Sequence, residues 1–238
     1  MTCIFVAGMH RSGTSCLTGI MQNMGIELGE VFTENKHNKK GNRENARITK
    51  TNDILLRLAG GSWNNPTQVR EWNDAARTER DSIIADIKGD MTEFWGFKDP
   101  RALFSLEFWL EAEPDMKFIG TYRHPYKTAL SLQVRDNTPI DKGMQIWKAY
   151  NSKLLEALET HQFDLVDFDM PQKDYLDDAI AKLIKLGVNR DKANAARSFF
   201  DASLRNQTDV PIEHIKLPTD VIDIYAALNS YFDAHKVN

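Results

Sequence analysis

The chain has 238 residues, with 30 lysines and arginines against 34 aspartates and glutamates, a formal net charge of −4 and 42% hydrophobic residues. This composition is that of an ordinary globular protein, which excludes a disordered chain, a collagen-like repeat and a coiled coil. The mild acidity argues against a protein whose main task is to bind a nucleic acid polymer, because such proteins usually carry a basic surface.

Cysteine and leader content bear on the compartment. Cys3 and Cys16 are too few for a disulfide framework, which favours a reducing environment. The opening residues show no basic leader before a long apolar run, and no stretch reaches the roughly 20 apolar residues of a membrane helix. We therefore expect a cytoplasmic protein without a membrane span. The histidines and cysteines show no paired metal-ligand spacing, so no metal is expected.

The chain opens with a strand, a glycine-containing turn and a helix. Residues 3–7 form a short continuous apolar run, which is typical of a buried parallel strand. Apolar residues at positions 17, 20, 21 and 24 then share one helical face. Gly25 is expected to end this helix in a left-handed conformation.

Strand and helix patterns continue to alternate along the rest of the chain. Apolar runs predict strands at 94–97, 117–122 and 163–168, and residues 26–93 are polar and mostly helical in pattern. Further helices are predicted at 68–88, 100–110, 125–135, 143–160, 173–186, 190–203 and 219–234. The fold class is therefore α/β: one domain over 1–238 with a mainly parallel sheet covered by helices on both faces.

The glycine-containing turn is a candidate phosphate site. The spacing Gly8-x4-Gly13 is that of a P-loop, although Thr14 stands where a P-loop has lysine. Unpaired backbone amides at a helix N-terminus attract phosphate, and Arg11 inside the turn would add positive charge. A plain strand–helix turn with a Ser/Thr cap is the alternative interpretation of this segment.

Three motifs in this order resemble the PAPS-dependent sulfotransferases, particularly the bacterial branch that acts on carbohydrates and lipids. They are FVAGMHRSGTSCL (5–17), WGFKDPR (95–101) and KFIGTYRHPYKTALSL (117–132). Similar segments are KKGNRENARITKTNDILL (39–56), SWNNP (62–66), IWKAYNSKLL (146–155) and FFDASLRN (199–206), so the likeness covers roughly residues 3–206. The resemblance implies the P-loop, nucleotide-kinase-like sulfotransferase fold.

The resemblance also implies the co-substrate, 3′-phosphoadenosine 5′-phosphosulfate (PAPS), which is released as PAP without need of a metal. In this family the first motif holds the 5′-phosphosulfate, which assigns that role here to Arg11, Ser12, Gly13, Thr14 and Ser15. An arginine and a serine of the third motif bind the 3′-phosphate, here Arg123 and Ser131. A guanidinium at the carboxyl end of a strand suits a phosphate dianion.

The implied reaction is in-line transfer of a sulfuryl group to a hydroxyl or amine, which needs positioning and charge neutralisation. Lys98 matches a lysine that contacts the transferring group, and Arg11 would act on the leaving phosphosulfate. Pro100 stands where cytosolic relatives have a histidine base. Glu44, in Gly41-Asn42-Arg43-Glu44-Asn45, matches a glutamate that serves as base in related bacterial enzymes. The reserve candidates for the base are Glu34, Asp99 and His10, although Asp99 is also predicted as a helix N-cap.

Two other functions stay open at this point. One is a P-loop nucleotide or sugar kinase that uses Mg-ATP, against which Thr14 in the lysine position counts. The other is a catalytically silent PAP-binding module. Residues 26–93 are expected to form the acceptor side, whose polarity suits a carbohydrate, a glycolipid or another small hydroxylated or anionic molecule. Residues 207–238 are expected to supply a C-terminal helix.

Overall fold

Four parallel strands form the centre of the molecule in the computed structural model, which describes residues 1–34, 40–89, 93–199, 210–212 and 214–236. The strands are β1 (Thr2–Ala7), β2 (Phe94–Phe97), β3 (Lys117–Tyr122) and β4 (Leu165–Asp167). Their order is β2-β1-β3-β4, and every pairing is parallel. Strand β1 is buried on both faces, which explains why its sequence is a continuous apolar run.

One or more helices follow each strand. They are α1 (Thr14–Asn23), α2 (Ala46–Leu58), α3 (Asp74–Lys88), α4 (Leu106–Leu110), α5 (Pro125–Asp136), α6 (Ile140–His161), α7 (Gln172–Lys185), α8 (Ala193–Phe199) and α9 (Thr219–Ala234). Two 3₁₀ turns, Pro100–Phe104 and Arg190–Lys192, precede α4 and α8. Gly25 has φ of 93°, so the predicted left-handed residue after α1 is confirmed.

The helices cover both faces of the sheet, which confirms the predicted α/β class. On one face, Ile4 and Val6 of β1 pack with α1, α7 and α8. On the other, Phe5 of β1 packs with the larger set α2, α3, α5, α6 and α9. The alternation of neighbouring β1 residues between two apolar clusters follows from the two-residue period of a strand. The molecule is thus one three-layered domain.

Two predicted helices differ from those observed. The helix predicted over 100–110 is interrupted at Ser105, whose φ of −127° is not helical, between the 3₁₀ turn and α4. The helix predicted over 68–88 begins only at Asp74, because Asn73 accepts a hydrogen bond from Ala76 N and caps it. Before it, Val69 N donates to Phe104 O, which ties this stretch to the 3₁₀ turn instead of a helix. Of the helix predicted at 190–203, residues 200–203 lie outside the described residues.

The sheet topology positions a ligand site at one edge. Since all four strands are parallel, their carboxyl ends lie together, and the chain leaves them at residues 8, 98, 123 and 168. The connection from β1 leads to β2 on one side, whereas β3 lies on the other side of β1. In open α/β sheets, ligands bind at the carboxyl edge where the strand order reverses.

Candidate active site

The turn between β1 and α1 has the backbone of an anion-binding loop. Gly13 has φ of 87°, and a Cβ at this position would lie 2.3 Å from the Phe168 ring, so only glycine fits. The first amides of α1 have no partner within the helix. Ser12 Oγ is buried and has no hydrogen-bond partner among the residues that the structure describes. A buried hydroxyl beside a helix N-terminus is chemically suited to an anionic ligand.

Arg11 connects the turn after β1 with α5, the helix that follows β3. Its Nε donates to Ser131 Oγ over 2.8 Å, which joins the turn to the middle of α5. Burial, and then the charges of Arg135 and Arg123, lower the pKa of Arg11 to about 10. The guanidinium therefore stays protonated at neutral pH. Its φ of 67° is left-handed, an unusual conformation for a residue with a side chain.

Arg123 is buried at the carboxyl end of β3 and is held from three sides. Its Nε lies 3.2 Å from Asp169 Oδ1, and its Cζ lies 5.3 Å from the centre of the Phe168 ring. Trp147 Nε1 donates to the Arg123 carbonyl over 3.0 Å. These contacts fix a permanent cation at the same edge as the glycine turn.

Glu44 and Lys98 form a buried ion pair against the start of α1. Lys98 Nζ lies 2.6 Å from Glu44 Oε1 and 3.5 Å from Ser15 Oγ. Asn42 Nδ2 donates to the other carboxylate oxygen, Oε2, over 2.8 Å. The Lys98 and Glu44 side chains are 2% and 10% exposed. Both oxygens of Glu44 are therefore held in fixed directions.

The backbone around Glu44 reverses direction to bring the carboxylate inward. Gly41 and Arg43 have φ of 75° and 55°, and Glu44 O accepts from Phe32 N. Arg43 Nη1 donates to Gln22 Oε1 over 2.7 Å, which anchors the reversal to α1. A left-handed arginine costs conformational energy, and such strain is often found at functional sites. The N-cap of α2 is the next residue, so Glu44 itself lies outside the helix.

Asp99 has a structural role in the described contacts. Its Oδ1 accepts from the backbone and side chain of Arg101, at 3.0 and 2.9 Å, and caps the 3₁₀ turn. Its Oδ2 accepts from Asn52 Nδ2 over 3.2 Å, and the side chain is fully buried. The N-cap interpretation of Asp99 is therefore confirmed. Because its side chain is fully enclosed, Asp99 is poorly placed to accept a proton from a substrate.

The other two reserve residues differ in their surroundings. His10 is buried between the rings of Trp63 and Tyr150, each 5.4 Å away, and its Nε2 lies 3.5 Å from Tyr150 Oη. Burial, followed by the nearby charges of Arg101, Arg135, Lys98 and Arg11, lowers the pKa of His10 well below 6.5. His10 is thus neutral at physiological pH. Glu34 is exposed, immediately before the undescribed residues 35–39.

The structure brings most of the predicted site residues to one edge of the sheet. These are Arg11, Ser12, Gly13, Thr14, Ser15, Glu44, Lys98, Arg123 and Ser131. Residues 35–39 of the predicted acceptor side (26–93), and residues 200–209, lie outside the described residues. Sequence reasoning missed Lys127, Asp169 and the hydrogen bond from Asn42 to Glu44. The four-residue spacing Arg123–Lys127–Ser131 was a usable signal, whereas nothing in the sequence pairs Asp169 with Arg123.

Comparison with known proteins shows the family to which this chain belongs. A model described as the sulfotransferase family matches residues 3–169, which is more than half of the chain. The chain belongs to the sulfotransferase family. No match is found among curated proteins.

In the described part of this sulfotransferase, no helix has the length and apolar character needed to cross a membrane. Nor do three or more His, Cys, Asp or Glu side chains group there in a way that would hold a metal ion.

Two solved structures are similar to this sulfotransferase over its whole length. The sulfotransferase domain of the olefin synthase from Synechococcus PCC 7002 has a TM-score of 0.51 and 14% identity, with 100% of this chain and 95% of that chain covered. A sulfotransferase from Alicyclobacillus acidocaldarius has a TM-score of 0.54 and 14% identity, with 100% and 97% covered. At this identity the likeness shows the fold, which confirms the predicted P-loop-like sulfotransferase architecture.

Proposed function

We propose that this sulfotransferase moves a sulfuryl group from PAPS to a hydroxyl or amine of a carbohydrate, glycolipid or other small-molecule acceptor, releasing PAP. The observation that carries the proposal is the Arg11–Ser131 hydrogen bond of 2.8 Å. It joins the two motifs assigned to the donor's two phosphate groups into one continuous site. A nucleotide with phosphates on both its 5′ and 3′ positions is the ligand that would use both halves.

The residues at this edge fit such a donor. Ser12 Oγ is buried and lacks a partner within the described parts of the chain, so a bound phosphosulfate oxygen would satisfy it. Arg11 and Arg123 supply permanent charge on the two sides of the β1–β3 switch. We assign the 5′-phosphosulfate to the 11–15 turn, including Gly13, Thr14 and Ser15. The 3′-phosphate is assigned to Arg123 and Ser131.

The chain's own residues can divide the chemistry between them. Bound PAPS would supply the sulfuryl group. Glu44 would take the acceptor's proton as the acceptor oxygen or nitrogen bonds to sulfur. Lys98 and Arg11 would stabilise the negative charge that passes to the bridging oxygen as its bond to sulfur breaks. Lys98 Nζ contacts both Glu44 and Ser15, so one ammonium group joins the proposed base to the 11–15 turn, which we call the donor loop.

The acceptor side is proposed to lie in residues 26–93. This segment contributes Glu44. Its Trp63 ring packs against His10, the residue before the donor loop, with 5.4 Å between the ring centres. Tyr150 Oη donates to the Trp63 carbonyl over 2.8 Å, which fixes the turn beside the loop. A partly buried aromatic ring next to the donor loop suits contact with a sugar or an apolar ring. A hydroxylated acceptor such as a carbohydrate could pack against this Trp63 ring during the PAPS-dependent reaction.

Thermal unfolding with PAP and with Mg-ATP tests the donor. At a concentration of ~100 times its Kd, PAP should raise the melting temperature by about 5–10 °C, because ligand binding stabilises only the folded state. Mg-ATP should have little effect, since Thr14 stands in the place of the P-loop lysine. Stronger stabilisation by Mg-ATP than by PAP would replace this proposal with a kinase.

Transfer is tested separately from donor binding. Incubation with sulfur-labelled PAPS and pools of carbohydrates, glycolipids and small phenols should place label on one acceptor class. The Lys98→Ala variant serves as the inactive control. Binding of PAP without transfer to any pool would indicate a catalytically silent module.

A further inference from the structure

The face of α5 that looks toward the donor site carries a third polar residue. Arg123 stands just before α5, Lys127 lies in its first turn and Ser131 lies one turn later. Residues four positions apart on a helix lie on the same face. The Ser131 hydroxyl faces the donor loop, because it accepts from Arg11 Nε. Lys127 thus lies between the two residues assigned to the 3′-phosphate.

The lysine and the arginine converge on one oxygen atom. Lys127 Nζ lies 3.3 Å from Asp169 Oδ1, and Arg123 Nε lies 3.2 Å from the same oxygen. The other oxygen, Oδ2, accepts from His124 N over 3.0 Å. Asp167 Oδ1 accepts from Asp169 N, which fixes the turn that carries this carboxylate. Asp169 is therefore immobilised and shared by two cations.

Charge and burial make this arrangement suited to an anion. The side chains of Lys127, Arg123 and Asp169 are 12%, 3% and 13% exposed, so solvent screens their charges only weakly. Lys127 also lies in the first turn of a helix, where the macrodipole disfavours a cation and favours an anion. A phosphate dianion at this place would be attracted by the weakly screened cations and by the helix N-terminus.

We propose that Lys127 is a third ligand of the donor's 3′-phosphate, beside Arg123 and Ser131, and that Asp169 holds both cations in position for it. This inference rests on the proposed function and extends it. If Lys127 has this role, α5 gives nucleotides with a 3′-phosphate a higher affinity than those without one. The ammonium would donate to a phosphate oxygen in a charge-assisted hydrogen bond.

Calorimetric titration with two nucleotides tests this role. PAP carries the 3′-phosphate, and adenosine 5′-monophosphate (AMP) lacks it. In Lys127→Ala, PAP should bind about 10- to 100-fold more weakly, which is the loss expected for one charged hydrogen bond. AMP affinity should stay within about twofold of the wild type, and Lys127→Arg should restore most of the PAP affinity.

Lys173→Ala is the matched control. Lys173 is also a first-turn lysine paired with an aspartate, Asp177, but its side chain is 85% exposed and lies on α7. Its replacement should leave both affinities unchanged. Lys127→Gln, which keeps the length and polarity of the stem, provides a second variant if Lys127→Ala unfolds.

The outcomes separate this inference from the proposed function. A folded Lys127→Ala or Lys127→Gln variant with the wild-type ratio of PAP to AMP affinity would overturn the assignment of Lys127 alone. If the wild-type protein binds AMP as tightly as PAP, the proposed donor fails, and this inference fails with it.

Discussion

Glu44 is the residue on which the proposed chemistry depends most directly. Lys98 and Asn42 each hold one of its oxygens. Replacement by glutamine keeps the size and one accepting oxygen but removes the ability to take a proton. Glu44→Gln should therefore keep PAP affinity within about threefold and lower turnover at least about 100-fold. Calorimetry with PAP and transfer of labelled sulfate measure the two quantities.

Glu79→Gln is the control for this experiment. Glu79 is an acidic residue of α3 whose side chain is 46% exposed and pairs with Arg47 on the surface. Its loss should leave both binding and turnover unchanged. If Glu44→Gln keeps more than about a tenth of wild-type turnover, the proton acceptor has to be sought at the reserve positions. The exposed Glu34 then comes before the enclosed Asp99 and His10.

At this scale the sequence predicts residues within motifs and misses those that support them. Motifs of residues close together in the chain can be recognised in the sequence. Examples are the spacing of Gly8 and Gly13 and the pattern of Arg123 with Ser131. Asn42 lies close to Glu44 in the sequence, but its hydrogen bond to that carboxylate depends on the reversed backbone at Gly41. Asp169 is separated from Arg123 by 46 residues, and only the pairing of β3 with β4 brings them together.

At the scale of elements, apolar runs locate the strands well because each β strand is enclosed between two helical layers. The helix boundaries depend on tertiary contacts and capping. Residues 68–73 have a helical pattern, yet Val69 N bonds to Phe104 O across the fold. The 100–110 segment breaks because Ser105 Oγ donates to Asn52 Oδ1 in the interior. Neither contact can be inferred from periodicity.

The packing of α5 against α6 offers a test at this scale. A Cβ at Gly143 of α6 would lie 2.9 Å from Ala129 Cα of α5, which is too close without movement of a helix. Alanine normally stabilises a helix interior relative to glycine by ~1 kcal/mol, so a loss of stability here would be diagnostic. Gly143→Ala should lower the melting temperature by about 2–10 °C through overpacking. It should also weaken PAP binding, because α5 carries Lys127 and Ser131.

Gln145→Ala is the control for Gly143→Ala. Gln145 lies on the same helix and is exposed, so its replacement should change neither stability nor PAP affinity. An unchanged melting temperature for Gly143→Ala would mean that the two helices can separate without cost. The contact at Ala129 would then have no part in holding α5.

At the scale of the whole molecule, α9 completes the fold although it lies beyond the family match at 3–169. Its Asn229 accepts from Tyr122 Oη over 2.9 Å, and burial raises the pKa of Tyr122. Its Tyr225 ring lies 5.2 Å from His124 and 6.2 Å from Trp147, the two neighbours of the Arg123 backbone. The C-terminal helix therefore supports the 3′-phosphate side of the proposed donor site from behind.

Leu228→Ala tests whether α9 belongs to the same cooperative unit as the sheet. Leu228 is fully buried in the cluster that also contains Phe5 and Trp95. Its truncation should cost about 2–5 kcal/mol and lower the melting temperature by about 4–15 °C.

Tryptophan fluorescence is the suitable probe, because all five tryptophans precede residue 148 and none belongs to α9. Ile222→Ala on the same helix, where Ile222 is 46% exposed, should have little effect. If the fluorescence transition of Leu228→Ala stays at the wild-type temperature while helical signal is lost earlier, α9 unfolds independently. A single transition shifted for both probes would instead make α9 part of the one domain that holds the donor site.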